Sequence, residues 1–189
     1  MNIIYYIKEK IKKIGVEWDK KAPSEENAIE FAHQHINPEP DKMIDSNHFT
    51  MEYLLAHSGE SINERFRNDK TDTLDNEIVK MVSEHTTDTD LVLYRGICSY
   101  VYELMCDNAQ GMNCDFYEKG FLATSLVKGH EIRSDVNMRI YVPAGTHVVY
   151  LGNVNDEQGF YEVDIQHGAK LKIESMDNEY INCRLIETK

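Results

Sequence analysis

Three short segments carry residue types that could work together on a phosphate-bearing substrate. Glu162 opens a strand–turn–strand unit: Val163 and Ile165 alternate with Asp164, Gln166-His167-Gly168 breaks the run, and Leu171 and Ile173 alternate with Lys170 and Lys172. Upstream lie Tyr94-Arg95-Gly96 and Phe121-Leu122-Ala123-Thr124-Ser125. A guanidinium can hold a pyrophosphate with two parallel hydrogen bonds. A hydroxyl-bearing strand can orient a carboxylate. A carboxylate beside a sugar ring can stabilise a developing positive charge. Arginine, hydroxyl strand and glutamate, in that order, are therefore the candidates for chemistry.

The elements that must position them change character along the chain. The first half reads helical. Ile3, Ile4, Ile7, Ile11 and Ile14 recur at helical spacing, with Lys8, Lys10, Lys12 and Lys13 between them. Pro23-Ser24-Glu25-Glu26 starts a helix through Ala28, Ile29, Phe31 and Ala32, which ends at Pro38-Glu39-Pro40. Helical patterns follow over Phe49–Leu55, Ser61–Arg67 and Thr73–His85. Leu91–Arg95 is a β-rich run stopped by Gly96, and Ser99–Met105 is a short helix. Strands are expected over Gly120–Leu126, Met138–Val142, Val148–Leu151, Glu162–Ile165, Leu171–Ile173 and Ile181–Ile186. Helices first and strands after predict an α+β fold with a mixed, mostly antiparallel sheet. A single domain over residues 1–189 is expected, mainly helical over 1–90 and mainly β over 91–189.

Bulk properties narrow the function. The formal net charge of −13 argues against a broad nucleic-acid-binding surface. Cys98, Cys106, Cys114 and Cys183 form no CxxC pair and fit no zinc spacing, and the eight histidines form no metal motif. No metal is expected. Residues 1–14 lack an uninterrupted apolar run, so no signal peptide is expected, and no segment has the roughly 18 apolar residues that span a membrane. The expected location is the cytoplasm, or a host cytoplasm after delivery.

With these residues in view, the chain resembles the arginine-serine-glutamate mono-ADP-ribosyltransferases among the ADP-ribosyltransferase exoenzymes. The likeness runs from about Phe49 to Ile186. It includes Ile62-Asn63-Glu64-Arg65-Phe66-Arg67 and Arg139-Ile140-Tyr141-Val142-Pro143-Ala144-Gly145-Thr146. The resemblance implies that fold, with helices on a two-sheet β core. It implies NAD as substrate, cleaved at the nicotinamide–ribose bond, and a protein acceptor for the ADP-ribose. It makes Glu162 the catalytic glutamate, Arg95 the pyrophosphate ligand and Gly96 the backbone contact to the carboxamide. Thr124 and Ser125, on the central strand, become cofactor contacts, and Ser125 and Arg95 join Glu162 as catalytic residues. Arg133 and Arg139 become further phosphate ligands, and Asn63 and Arg67 line the adenosine side. Residues 152–161 become the target-recognition loop, with Phe160 and Tyr161 presented to the acceptor.

Two positions depart from that pattern. Ala123 stands where the family usually has a serine, which removes a hydrogen bond worth about 1–2 kcal/mol. Ser125, on the same face by strand alternation, is the expected surviving hydroxyl. Phe160 stands where arginine-modifying members carry Glu and others Gln. Glu157, Gln158 and Asp164 are the alternative polar groups nearby. NAD hydrolysis and a catalytically silent NAD- or partner-binding protein are the two alternatives to transfer. A phage or mobile-element modifier of host proteins, or an injected effector, fits the size.

Overall fold

The structure, a computed structural model, describes residues 13–38, 44–45, 48–152 and 159–189. The expected amphipathic N-terminal helix lies largely outside them; residues 13–19 are helical and form α1. A 3-10 turn at Glu25–Asn27 leads into α2 (Ala28–His35). Then come α3 (Met51–Arg67), α4 (Thr73–Ser83) and α5 (Ser99–Asn108). A two-stranded ribbon, β1 (Ile44–Asp45) with β2 (His48–Phe49), precedes α3. The main sheet comprises β3 (Leu91–Ile97), β4 (Phe116–Glu118), β5 (Leu122–Ser125), β6 (Val136–Val142), β7 (Val148–Gly152), β8 (Glu162–Ile165), β9 (Ala169–Met176) and β10 (Ile181–Glu187).

The fold is α+β, as the helix-then-strand order predicts. The expectation of two sheets is corrected. All eight strands hydrogen-bond in one sheet, in the order β4-β9-β10-β6-β3-β5-β8-β7. Among the described residues, only the β6–β10 pair is parallel. The seam between the two halves is thin, because β3 pairs with β5 through Tyr94–Ser125 alone. On its other side β3 pairs with β6 along its whole length, from Leu91–Val142 to Ile97–Val136. Gly96 therefore does not stop the strand.

Helix α3 replaces two expected helical segments. Ser58-Gly59 lies in its middle, where Gly costs about 1 kcal/mol relative to Ala. Leu55, Ile62 and Phe66 are buried on either side and hold the helix together. Thr50 caps its start by accepting from the Tyr53 amide at 3.2 Å. Arg65 ties it to α4 through the fully buried Asp75, which also completes the α4 capping box with Asp72.

The sheet is covered on both faces. Leu91, Leu93, Ile140 and Val163 pack with Ala28 and Ala32 of α2 and with Val101 and Met105 of α5. Phe121, Val149 and Leu151 pack with α3 and α4. Val92 and Tyr94 pack with Trp18 and Tyr180.

The segment Ile62–Arg67 now has a physical role. Asn63 donates to the Phe121 carbonyl at 3.0 Å and accepts from the Phe121 amide at 2.7 Å. Arg67 donates to buried Glu118 at 2.8 and 3.1 Å, and Glu118 accepts from the Gly120 amide. Helix α3 thus grips the chain as it enters β5. Gly120 is required there, since a Cβ would overlap Asn63 Oδ1. Asn63→Ala strands two buried backbone groups and should lower unfolding free energy by about 2 kcal/mol in urea. An unchanged urea midpoint would mean that this grip contributes nothing.

Candidate active site

Where β3 and β5 part, a cleft of about 430 Å³ opens, within the usual range for ligand sites. Its lining includes Arg95 and Gly96 from β3, Ala123, Thr124 and Ser125 from β5, and Glu162 and Asp164 from β8. Strand register explains the gathering. Tyr94 faces Ser125, Ser125 faces Glu162, and Ala123 faces Asp164. Opposed residues of an antiparallel pair share a face, and so do residues two apart. Ser125, Glu162, Ala123 and Asp164 therefore form one face, beside Val149 and below α3 and α4.

Arg95 bridges the gap between the parted strands. Its Nη1 donates to the Ala123 carbonyl, while its buried Nε has no hydrogen-bond partner among the described residues. Burial pushes its guanidinium down from the ordinary arginine value, with Glu118 and Asp164 opposing. A cation with an orphaned donor in a cleft fits an anionic ligand. Gly96 is needed for close approach: an added Cβ would overlap the Ile132 carbonyl oxygen. The loop over residues 127–134 thus lies directly on the strand.

Ser125 is 2% exposed, and its hydroxyl donates to the Val127 carbonyl at 2.9 Å and accepts from the Val127 amide at 3.1 Å. It shapes the turn leaving β5. Thr124 points to the opposite face and donates to the Val163 carbonyl. Glu162 is half-buried at the start of β8. Phe160 lines the cleft beside it, and Asn63 lines it from α3.

Four expected site residues are placed elsewhere. Arg139 is 2% exposed and satisfied by Asp19 at 2.6 Å, Asp177 at 2.6 Å and Asn182. Although burial opposes ionisation of Asp177, the Arg139 bond holds its carboxyl at about 2. Arg139 is a structural ion-pair centre, with four of its five N–H donors engaged within the fold. Arg67 is likewise committed to Glu118 and Glu60, at 2.8 and 3.1 Å. Arg133 is exposed on its loop, while Ile132 and Ser134 on either side line the cleft. Tyr161 packs against the main core, its carbonyl accepts from the Leu126 amide at 3.0 Å, and its hydroxyl meets Glu25. Its φ of 49° is unusual for a bulky residue. Glu157 and Gln158 lie outside the described residues.

Other groups at the cleft were not singled out by the sequence. His57 and Glu60 of α3 line it, as do His130 and Glu131. His130 Nδ1 lies 2.6 Å from the Gly159 carbonyl and so donates to it, tying the 127–134 loop to the approach to β8. His130 Nε2 lies 3.5 Å from Glu25. No local pattern marks these residues, because they converge from distant segments. Among the described residues, no group of three or more His, Cys, Asp or Glu could hold a metal ion.

Fold and cleft together define a domain that gathers a half-buried arginine and two carboxylates in one cleft. The ADP-ribosyltransferase exoenzyme family model matches residues 41–186, and the chain belongs to that family of NAD-dependent ADP-ribosyltransferases. No curated protein matches it significantly. Among solved structures it is similar to C3larvin toxin, an ADP-ribosyltransferase from Paenibacillus larvae, at TM-score 0.56 and 16% identity, over 72% of this chain and 86% of that one. C3stau2 from S. aureus, solved with NAD, has a TM-score of 0.57 and 16% identity over 94% and 95%. The Salmonella SpvB ATR domain has 0.53 and 20% over 72% and 96%. At these identities the likeness is one of fold.

The contact at Gly96 can be tested directly. Gly96→Ala must displace the Ile132 backbone and should cost about 1–3 kcal/mol in chemical denaturation. Unchanged stability would contradict the close approach.

Proposed function

We propose that the chain is a mono-ADP-ribosyltransferase that transfers ADP-ribose from NAD to a protein side chain. The observation that carries this reading is the convergence of Arg95 and Glu162 on one cleft, linked through the Tyr94–Ser125–Glu162 register. Arg95 would hold the pyrophosphate, using the donor now without a partner. The backbone at Gly96 would receive the nicotinamide end. Glu162 would lie by the ribose, accepting from its 2′-hydroxyl and offsetting the positive charge that develops at C1′.

In the reaction the bond from C1′ to the nicotinamide nitrogen breaks. Its electron pair leaves with the ring, which becomes neutral nicotinamide. A lone pair on the acceptor forms the new bond to C1′, and the acceptor loses a proton. The residue that receives that proton decides between outcomes. Phe160 cannot take it, which favours hydrolysis by water as the second reading. Unless another group at the cleft mouth serves the acceptor, water is the competing nucleophile. The target is proposed to be a host-cell protein.

Incubation with labelled NAD and host-cell lysate separates these readings. Transfer predicts labelled protein, and hydrolysis predicts nicotinamide without it. Glu162→Gln should lower nicotinamide release by about 10²–10³-fold, the usual effect of removing a transition-state charge partner. Full activity in that variant would refute the role of Glu162. Arg95→Ala should weaken NAD binding by about tenfold or more, the loss of a charge-assisted hydrogen bond. Unaltered affinity would refute its phosphate role.

A further inference from the structure

Asp164 is buried in the cleft lining, and Arg95 in the same lining is half-buried with its Nε shielded from solvent. Asp164 is 2% exposed, and its Oδ1 has no hydrogen-bond partner among the described residues. Ala123 stands directly opposite it on β5. A methyl group cannot donate, so that strand leaves the carboxylate unsatisfied. A buried carboxylate is costly without a compensating charge, and the Arg95 cation offsets only part of that cost.

A pyrophosphate that engages Arg95 disturbs this balance. The guanidinium then serves the phosphate oxygens as well, and Asp164 faces added negative charge in the same buried space. A proton on the carboxyl relieves that repulsion. We propose that Asp164 takes up a proton from solvent as the pyrophosphate of NAD engages Arg95, so that dinucleotide binding is proton-linked. The proposal rests on the reading of this cleft as an NAD site.

The neighbouring groups do not compete for the role. Glu162, two residues away on β8, is half-buried and more open to solvent. From α3, His57 and Glu60 line the cleft but are exposed. From the 127–134 loop, His130 and Glu131 are half-buried, with His130 bonded to Gly159. Arg67 and Glu118 act on Arg95 from nearby but are already paired to each other. Neither β5 nor β7 sets a titratable group opposite Asp164, where Ala123 and Val149 stand.

The pH window follows from burial, which raises the Asp164 carboxyl to about 7, with Arg95 opposing. Below that pH the proton is already present, and binding takes up none. Above it, binding must draw one from solvent. The sign for folding agrees. A carboxyl raised on folding stabilises the native state at low pH, and that contribution is lost as pH rises through about 7. Asp164→Asn should therefore gain thermal stability over wild type at alkaline pH and lose that advantage in acid.

NADH is the probe of choice, because it keeps the pyrophosphate but lacks the cationic leaving group. Its dissociation constant for wild type should rise about tenfold per pH unit above neutrality, and calorimetry in buffers of different ionisation enthalpy should find about one proton taken up. Asp164→Asn should flatten both. Ala123→Ser supplies the missing donor and should move the onset to lower pH, which keeps the test open if the asparagine variant does not fold. Wild-type affinity flat across neutral and alkaline pH, or the same slope in Asp164→Asn, overturns the inference while NAD cleavage stands. No NADH binding and no nicotinamide release from NAD would overturn both this inference and the NAD reading.

Discussion

The structure depends on one thin seam. β3 and β5 meet at the Tyr94–Ser125 pair and then part. Had they paired along their length, no gap would open between them for Arg95 to bridge. Because they part, Arg95 reaches across to the Ala123 carbonyl, and Glu162 is brought in one strand further through Ser125. Helix α3 fixes one side of the seam through Asn63 and Arg67, and the long β3–β6 ladder fixes the other. The cleft is what remains between two well-anchored halves.

The same seam decides which charges are available for chemistry. Arg67 and Arg139 are buried with acids beside them, so their charge is spent on the fold. Arg95 is half-buried with an orphaned Nε, and Asp164, in the same cleft lining, also has an unpaired oxygen. Unsatisfied buried polar groups cost free energy and are retained where a ligand or a proton completes them. That contrast separates the arginine read as functional from those read as structural.

Much of this was legible in the sequence. The helix-to-strand change, the order of the arginine, hydroxyl and glutamate segments, and the β8 boundaries follow from periodicity and motif order. What could not be read depends on long-range contacts. Arg139 and Arg67 look like phosphate ligands until Asp19, Asp177 and Glu118 arrive from distant segments. β4 was missed because Phe116–Glu118 is too short to show a period. One continuous α3 was read as two because Gly59 interrupts its pattern, and tertiary burial on both sides overrides that cost. The left-handed backbone at Tyr161 cannot be inferred from a tyrosine.

On the proposed reading the parted seam between β3 and β5 is the dinucleotide site. A crystal structure of the chain with NADH tests it most directly. The pyrophosphate should lie on Arg95, with the nicotinamide end at Gly96 and its ribose beside Glu162. A dinucleotide bound away from Arg95, with the Arg95 Nε still without a partner, would rule out the seam as its site.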